Sequence, residues 1–195
     1  MNIGVLALQG AVAEHIRSIG LAGGQGVAVK KTEQLADIDG LIIPGGESTT
    51  IGKLMRKYGF IEAIRDFANG GNPVFGTCAG LIVMAKRLEG AEEPHLSLMD
   101  MTVARNAFGR QRESFETNLD VKGIDTPLRA VFIRAPLIKE VSDRVEVLSM
   151  YKGEIVTARQ DHLLASSYHP ELTDDYRLHE LFIQMAKEAS GVKAD

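Results

Sequence analysis

Pro73-Val74-Phe75-Gly76-Thr77-Cys78-Ala79-Gly80-Leu81-Ile82-Val83-Met84 is the stretch on which the reading of this chain turns. Residues 73–75 read as a short apolar strand, and residues 76–80 as a turn of small residues. Leu81, Met84, Ala85 and Leu88 recur at helical spacing, which predicts a helix reaching Leu88. A strand that turns sharply into a helix forces the residue at its apex into a strained backbone, so the neighbours must be small. Gly76, Ala79 and Gly80 meet that need. The apex residue is Cys78, in the place a serine takes in a nucleophile elbow. A helix N-terminus behind a thiol offers positive dipole and free N–H groups, which favour the thiolate. The bland alternative is a buried structural cysteine, a common fate for this residue.

The same alternation extends upstream. Residues 3–8 are a continuous apolar run, as in a strand covered on both faces. Val12, Ile16 and Ile19 follow at helical spacing, with Gly23-Gly24 as a stop. Residues 27–29 and 40–43 are further strands, the latter ended by Pro44-Gly45-Gly46. Ser48 or Thr49 is placed to cap the next helix, whose Ile51, Leu54, Met55 and Tyr58 share a face; Ile61, Ile64 and Ala68 continue after Gly59. Strand, helix, strand, helix at this pitch implies parallel strands joined by right-handed crossovers.

Downstream the character changes. Strands are expected at 101–105, 115–121, 128–134, 145–151, 154–158 and 162–168, with Tyr151-Lys152-Gly153-Glu154 as a hairpin turn. A last helix carries Leu178, Leu181, Phe182, Met185, Ala186 and Ala189 and stops near Gly191. The expectation is a single domain over 1–195, a three-layer α/β architecture. Its central sheet is mostly parallel, with antiparallel additions in the second half. Ligands of such sheets sit outside the carboxyl ends of the strands.

Composition narrows the classes. A chain of 195 residues builds a core without disulfide or metal staples. Lys+Arg 22 against Asp+Glu 26 gives a net charge of −4, which disfavours a broad nucleic-acid footprint and supplies no polybasic membrane anchor. One cysteine makes neither an internal disulfide nor a cysteine metal cluster, and fits a reducing, cytoplasmic setting. The first residues lack the pattern of a signal peptide, and no apolar run approaches the ~18 residues of a membrane span.

A cysteine nucleophile needs a base. Of the five histidines, His15 and His179 lie in helical patterns and read as surface or half-buried, His95 sits in a polar loop, and His162 opens a strand. His169 follows an apolar strand and precedes Pro170-Glu171, and Glu171 is placed to reach the second imidazole nitrogen and fix its tautomer. A strand-ending histidine beside a solvated glutamate is the alternative. Pro44-Gly45-Gly46-Glu47-Ser48 also follows a strand and opens a helix; paired glycines let backbone N–H groups approach a ligand as an oxyanion hole requires. The same residues also fit a plain βα turn. Gln9 and Gly10 end the first strand at the same sheet edge.

These three motifs, in this order, resemble the class I (triad) glutamine amidotransferases. Residues 4–10, 105–111 and 132–136 resemble more narrowly the glutaminase subunits of pyridoxal 5′-phosphate synthases, and the likeness spans nearly the whole chain. The resemblance implies the flavodoxin-like class I glutamine amidotransferase fold. It implies hydrolysis of L-glutamine to glutamate and ammonia by Cys78, His169 and Glu171, with an oxyanion hole at Gly46 and Ala79. Substrate would be held by Gly46, Glu47, Ser48, Arg105, Ile133 and Arg134. It implies no metal and no cofactor of the chain's own, since pyridoxal 5′-phosphate is the product of the complex.

The implied partner is a synthase (lyase) subunit that builds that product from a pentose phosphate, glyceraldehyde 3-phosphate and the ammonia. A site poorly organised until that partner docks is expected, with helix 12–19 and the site-facing loops as docking candidates. Three readings compete. One is a glutaminase of another pathway, such as histidine biosynthesis. Another is a peptidase or deglycase with an elbow cysteine. The third is a non-enzymatic module or redox sensor using Cys78.

Overall fold

The apolar runs condense into a ten-stranded sheet in the computed structural model, which describes residues 1–90, 92–105 and 114–191. In chain order the elements are β1 (Asn2–Leu6), α1 (Val12–Leu21), β2 (Gln25–Val29), β3 (Gly40–Ile43), α2 (Ser48–Lys57), α3 (Phe60–Asn69), β4 (Val74–Thr77), α4 (Ala79–Met84), β5 (Ala85–Leu88) and β6 (Met99–Ala104). Then come β7 (Ser114–Leu119), β8 (Leu128–Ile133), β9 (Leu137–Val141), β10 (Glu146–Tyr151), β11 (Glu154–Gln160), β12 (Leu163–Ser166) and α5 (Arg177–Ala189). Short 3₁₀ segments cover Thr32–Asp37 and Pro170–Leu172.

The sheet order is β2-β1-β3-β4-β12-β11-β9-β6-β5, with β10 paired to β11. The first five strands are all parallel, in the doubly wound order 2-1-3-4-5 with β12 in the fifth place. From β12 the sheet turns antiparallel through β11, β9 and β6, and β5 returns parallel to β6. The hairpin between β10 and β11 closes through Lys152 at φ +48° and Gly153 at φ +82°, the twist a two-residue turn needs. β7 and β8 form a separate two-stranded ribbon.

Side chains alternate across the sheet, which sorts them into two cores. Leu6, Leu41, Ile43 and Val74 pack with Ile51, Met55, Phe60 and Ile64 from α2 and α3. Ile3, Val5, Ile42 and Phe75 pack with Ile19 of α1, Phe182 and Met185 of α5, and Leu128 and Phe132 of β8. Helices on both faces of the sheet make the three layers. Because β1 lies between β2 and β3, the chain leaves its carboxyl end in opposite directions, and a crevice opens there.

Two expectations are corrected. The helix after the Cys78 turn stops at Met84 and does not reach Leu88: Ala85, Arg87 and Leu88 pair with Met99, Thr102 and Val103 of β6. Apolar residues at 81, 84, 85 and 88 suit a helix, but a ladder against β6 satisfies the backbone of 85–88. Arg87 reinforces it through Thr102 Oγ1 at 3.0 Å and Asp100 at 2.8 Å. The cap of α2 is Glu47 rather than Ser48 or Thr49; its carboxylate accepts the N–H groups of Thr49 (3.0 Å) and Thr50 (2.7 Å). Strand β9, with no alternation in Leu137-Ile138-Lys139-Glu140-Val141, was not expected.

Candidate active site

Three loops leave β1, β3 and β4 at one edge of the sheet and meet. Cys78 stands at the turn between β4 and α4 with φ +50° and ψ −109°, a strained conformation for a residue with a side chain. The strain is imposed by close packing. A Cβ on Gly76 would lie 2.5 Å from the Gly80 carbonyl oxygen, and one on Gly80 would lie 2.0 Å from that of Ile43. The Cys78 N–H donates to the Ser166 carbonyl at 2.9 Å, tying the turn to β12. The thiol faces the Ile133 carbonyl at 3.9 Å.

His169 reaches the same point from the end of β12. Its N–H donates to the Val131 carbonyl at 2.8 Å, so the β7–β8 ribbon holds it. Pro170 then starts the short 3₁₀ turn Pro170–Leu172, which curls Glu171 back onto the ring: His169 Nδ1 and Glu171 Oε1 are 2.7 Å apart. That leaves Nε2 for the cysteine. Burial opposes charge on His169, but hydrogen bonds to Cys78 and Glu171 and the charges of both outweigh it and push its pKa up to about 10. Burial likewise opposes charge on Glu171, and the hydrogen bond and positive charge of His169 override it, lowering its pKa.

Gln9, Gly46, Glu47, Ser48, Cys78, Ala79, Ile82, Arg105, Ile133, Arg134 and His169 line one cavity of about 470 Å³, within the range of small-molecule sites. The residues expected to react with or hold substrate are therefore brought together, except that Glu171 stands behind His169. Within the cavity their parts differ. Gln9 Oε1 accepts the Glu47 N–H at 2.8 Å and pins the loop after β3. The Glu47 carboxylate caps α2; the hydrogen bonds from the Thr50 hydroxyl and the Thr49 and Thr50 N–H groups lower its pKa to about 2. Arg105 sits on the wall with Thr49 Oγ1 at 3.2 Å and Glu92 at 2.8 Å. Residues 106–111, part of the segment that narrowed the resemblance, lie outside the described residues.

The histidines correct another expectation. His15 and His179 are wholly buried rather than at the surface or half-buried, and they stand behind Glu171. The signal was present: His15 lies four residues before Ile19, and His179 three and four before Phe182 and Ile183, on the inward faces of α1 and α5. His95 is also buried, and His162 Nε2 meets the Ala68 carbonyl at 2.7 Å. Among the described residues no helix is long and apolar enough to cross a membrane.

Comparison with known proteins matches the chain to the SNO glutamine amidotransferase family over residues 5–188. A protein of Niallia circulans named pyridoxal 5′-phosphate synthase subunit PdxT is 72% identical over 189 residues, covering 97% of this chain and 100% of its own. A protein of Halalkalibacterium halodurans with the same name is 62% identical over 192 residues, 98% of each chain. A crystal structure described as a glutamine amidotransferase superposes with a TM-score of 0.90 at 47% identity, covering 94% of this chain and 98% of that one. The structure of PurLQS from Thermotoga maritima shares the fold, with a TM-score of 0.69 at 15% identity over 98% of this chain and 99% of that one.

Proposed function

The chain belongs to the SNO glutamine amidotransferase family, and from that premise we infer that it is the glutaminase subunit of a pyridoxal 5′-phosphate synthase. It hydrolyses L-glutamine to glutamate and ammonia. The observation that carries the chemistry is the strained Cys78 at the floor of the cavity with the His169–Glu171 pair against it.

The Cys78 thiolate attacks the side-chain amide carbon, and the tetrahedral oxyanion is held by the backbone N–H groups of Gly46 and Ala79. The imidazolium of His169 gives its proton to the departing nitrogen, and ammonia leaves a thioester. Water, losing a proton to the same imidazole, then releases glutamate and restores the thiol pair. Glu171 keeps Nδ1 protonated and stabilises the imidazolium throughout. Arg105 and Arg134, with Ile133 and the 46–48 loop, receive the amino-acid end of glutamine, a guanidinium fork being suited to its carboxylate. This chemistry draws on the chain's own side chains and backbone N–H groups and on water, and pyridoxal 5′-phosphate is the product of the complex.

The ammonia passes to a separate synthase subunit that builds the ring from a pentose phosphate and glyceraldehyde 3-phosphate, in the cytoplasm. Ammonia protonates in water and loses its nucleophilicity, so a closed route between subunits and a glutaminase that waits for its partner both follow. The test is glutamate release from L-glutamine with and without the synthase subunit. Release should rise sharply with the partner, and Cys78→Ala should lower it by at least about 10³-fold. A mixture that stays inert, or a Cys78→Ala variant that turns over normally, would overturn the reading.

A further inference from the structure

Behind Glu171 the molecule buries two imidazoles that the reaction above leaves unused. His15 Nδ1 lies 3.0 Å from His179 Nε2, while His15 Nε2 lies 3.3 Å from Thr77 Oγ1 and 3.5 Å from Glu171 Oε2. Glu171 commits Oε1 to His169; Oε2 is buried without a close hydrogen bond, and His15 faces it. Among the described residues no three His, Cys, Asp or Glu side chains converge as metal ligands would, so the cluster is a chain of hydrogen-bonding groups.

Electrostatics selects the direction of that chain. A proton on His15 Nδ1 would aim the Nε2 lone pair at a buried carboxylate. A proton on Nε2 instead offers an N–H to Glu171 and Thr77 and leaves Nδ1 to accept from His179 Nε2–H. The chain then ends at His179 Nδ1 as a bare acceptor, and that atom is buried without a partner. A bare acceptor is the less costly end, since buried N–H groups are rarely left orphaned.

The charged and titratable groups around His15 are Glu14 on α1, His169 and Glu171 after β12, and His179 on α5. Burial lowers the pKa of both inner imidazoles, that of His179 to about 3, which favours their neutral forms.

We propose that His15, held as its Nε2–H tautomer by His179, is a positioning residue of the triad: it steadies the second carboxylate oxygen of Glu171 so that the first stays on His169 Nδ1. Its N–H also meets Thr77, the residue before the nucleophile, so one ring braces both sides of the reacting pair. The meaning of the brace rests on the glutaminase reading, but its geometry does not.

Two measurements decide it. Nitrogen-15 histidine NMR of the intact chain should show His15 protonated at Nε2 and accepting at Nδ1; a proton on Nδ1 overturns the proposal. The rate of Cys78 alkylation by iodoacetamide against pH is then compared in wild type, His15→Leu and His15→Gln. Leucine removes the N–H that steadies Glu171, so the carboxylate holds the His169 imidazolium less firmly and the acid limb should move up by about one pH unit. Glutamine places an amide N–H near the lost Nε2 and should restore most of that shift. Superimposable limbs in all three proteins would overturn the proposal. If His15→Leu does not fold, the tautomer measurement decides alone. Alkylation needs neither glutamine nor synthase, so an inert wild-type glutaminase assay would count against the function and leave this inference standing.

Discussion

A carboxylate 2.7 Å from His169 Nδ1, buried behind it and away from the cavity lining, is placed to act on the imidazole rather than on substrate. Glu171→Gln should therefore lower kcat by between about 10² and 10⁴-fold while KM stays within a few-fold, because the amide holds neither the tautomer nor the charge. A rise in KM with kcat intact would place Glu171 in substrate binding instead. His169 also carries a stability signature. Its pKa is raised from 6.5 to about 10, so its contribution is whole below pH 6.5 and is lost as pH climbs toward 10. The gap in denaturation midpoint between wild type and His169→Gln should narrow across that window, and a constant gap would contradict the assignment. The meeting of Cys78, His169 and Glu171 was legible because each sits in a local motif next to a strand. His15 and His179 were misread because a polar residue type was weighed above an inward position, and only a tertiary partner such as Glu171 explains burying them.

At the scale of elements, α2 shows how the loop chemistry is built. Glu47 reaches past one residue to cap Thr49 and Thr50, so the residue singled out for substrate binding spends its carboxylate on the helix and faces the cavity from the loop. Glu47→Ala should lower stability by about 1 kcal/mol in urea denaturation at neutral pH, as for other lost caps. The sign of its pH dependence is set by the lowered value: the contribution is present above pH 4.5 and disappears as pH falls toward about 2. A wild-type and Glu47→Ala difference that grew on acidification would rule the cap out. The boundary between α4 and β5 was hidden for a related reason. Apolar spacing alone does not separate a helix from a helix turn followed by a strand, and the pairing of β5 with β6, fourteen or fifteen positions along the chain, decides it.

In the whole molecule, the first half of the fold was legible because alternating strands and helices leave few topologies, and the order β2-β1-β3-β4 is one of them. The second half was legible only as strands. Nothing local tells β12 to enter beside β4, or β7 and β8 to leave the main sheet, yet that pair supplies two contacts of the site: the Val131 carbonyl to His169 and the Ile133 carbonyl to Cys78. Between these two carbonyls lies Phe132, stacked on Phe115 at 4.6 Å and leaning on Tyr168 at 5.4 Å, within the same core as Phe75 and Phe182. The ribbon is thereby cemented to the sheet by an aromatic seam beside Cys78 and His169. Phe132→Ala should cost about 3–5 kcal/mol and also lower kcat in the molecules that remain folded, since both carbonyls lose their support. Phe132→Leu, which refills most of the volume, should recover much of each loss. Because the seam joins ribbon and sheet in one core, denaturant should unfold wild type and variants in a single transition seen alike by tyrosine fluorescence and far-ultraviolet circular dichroism. Two separated transitions, with activity following the weaker one, would mean that the ribbon is a unit of its own that docks to complete the site.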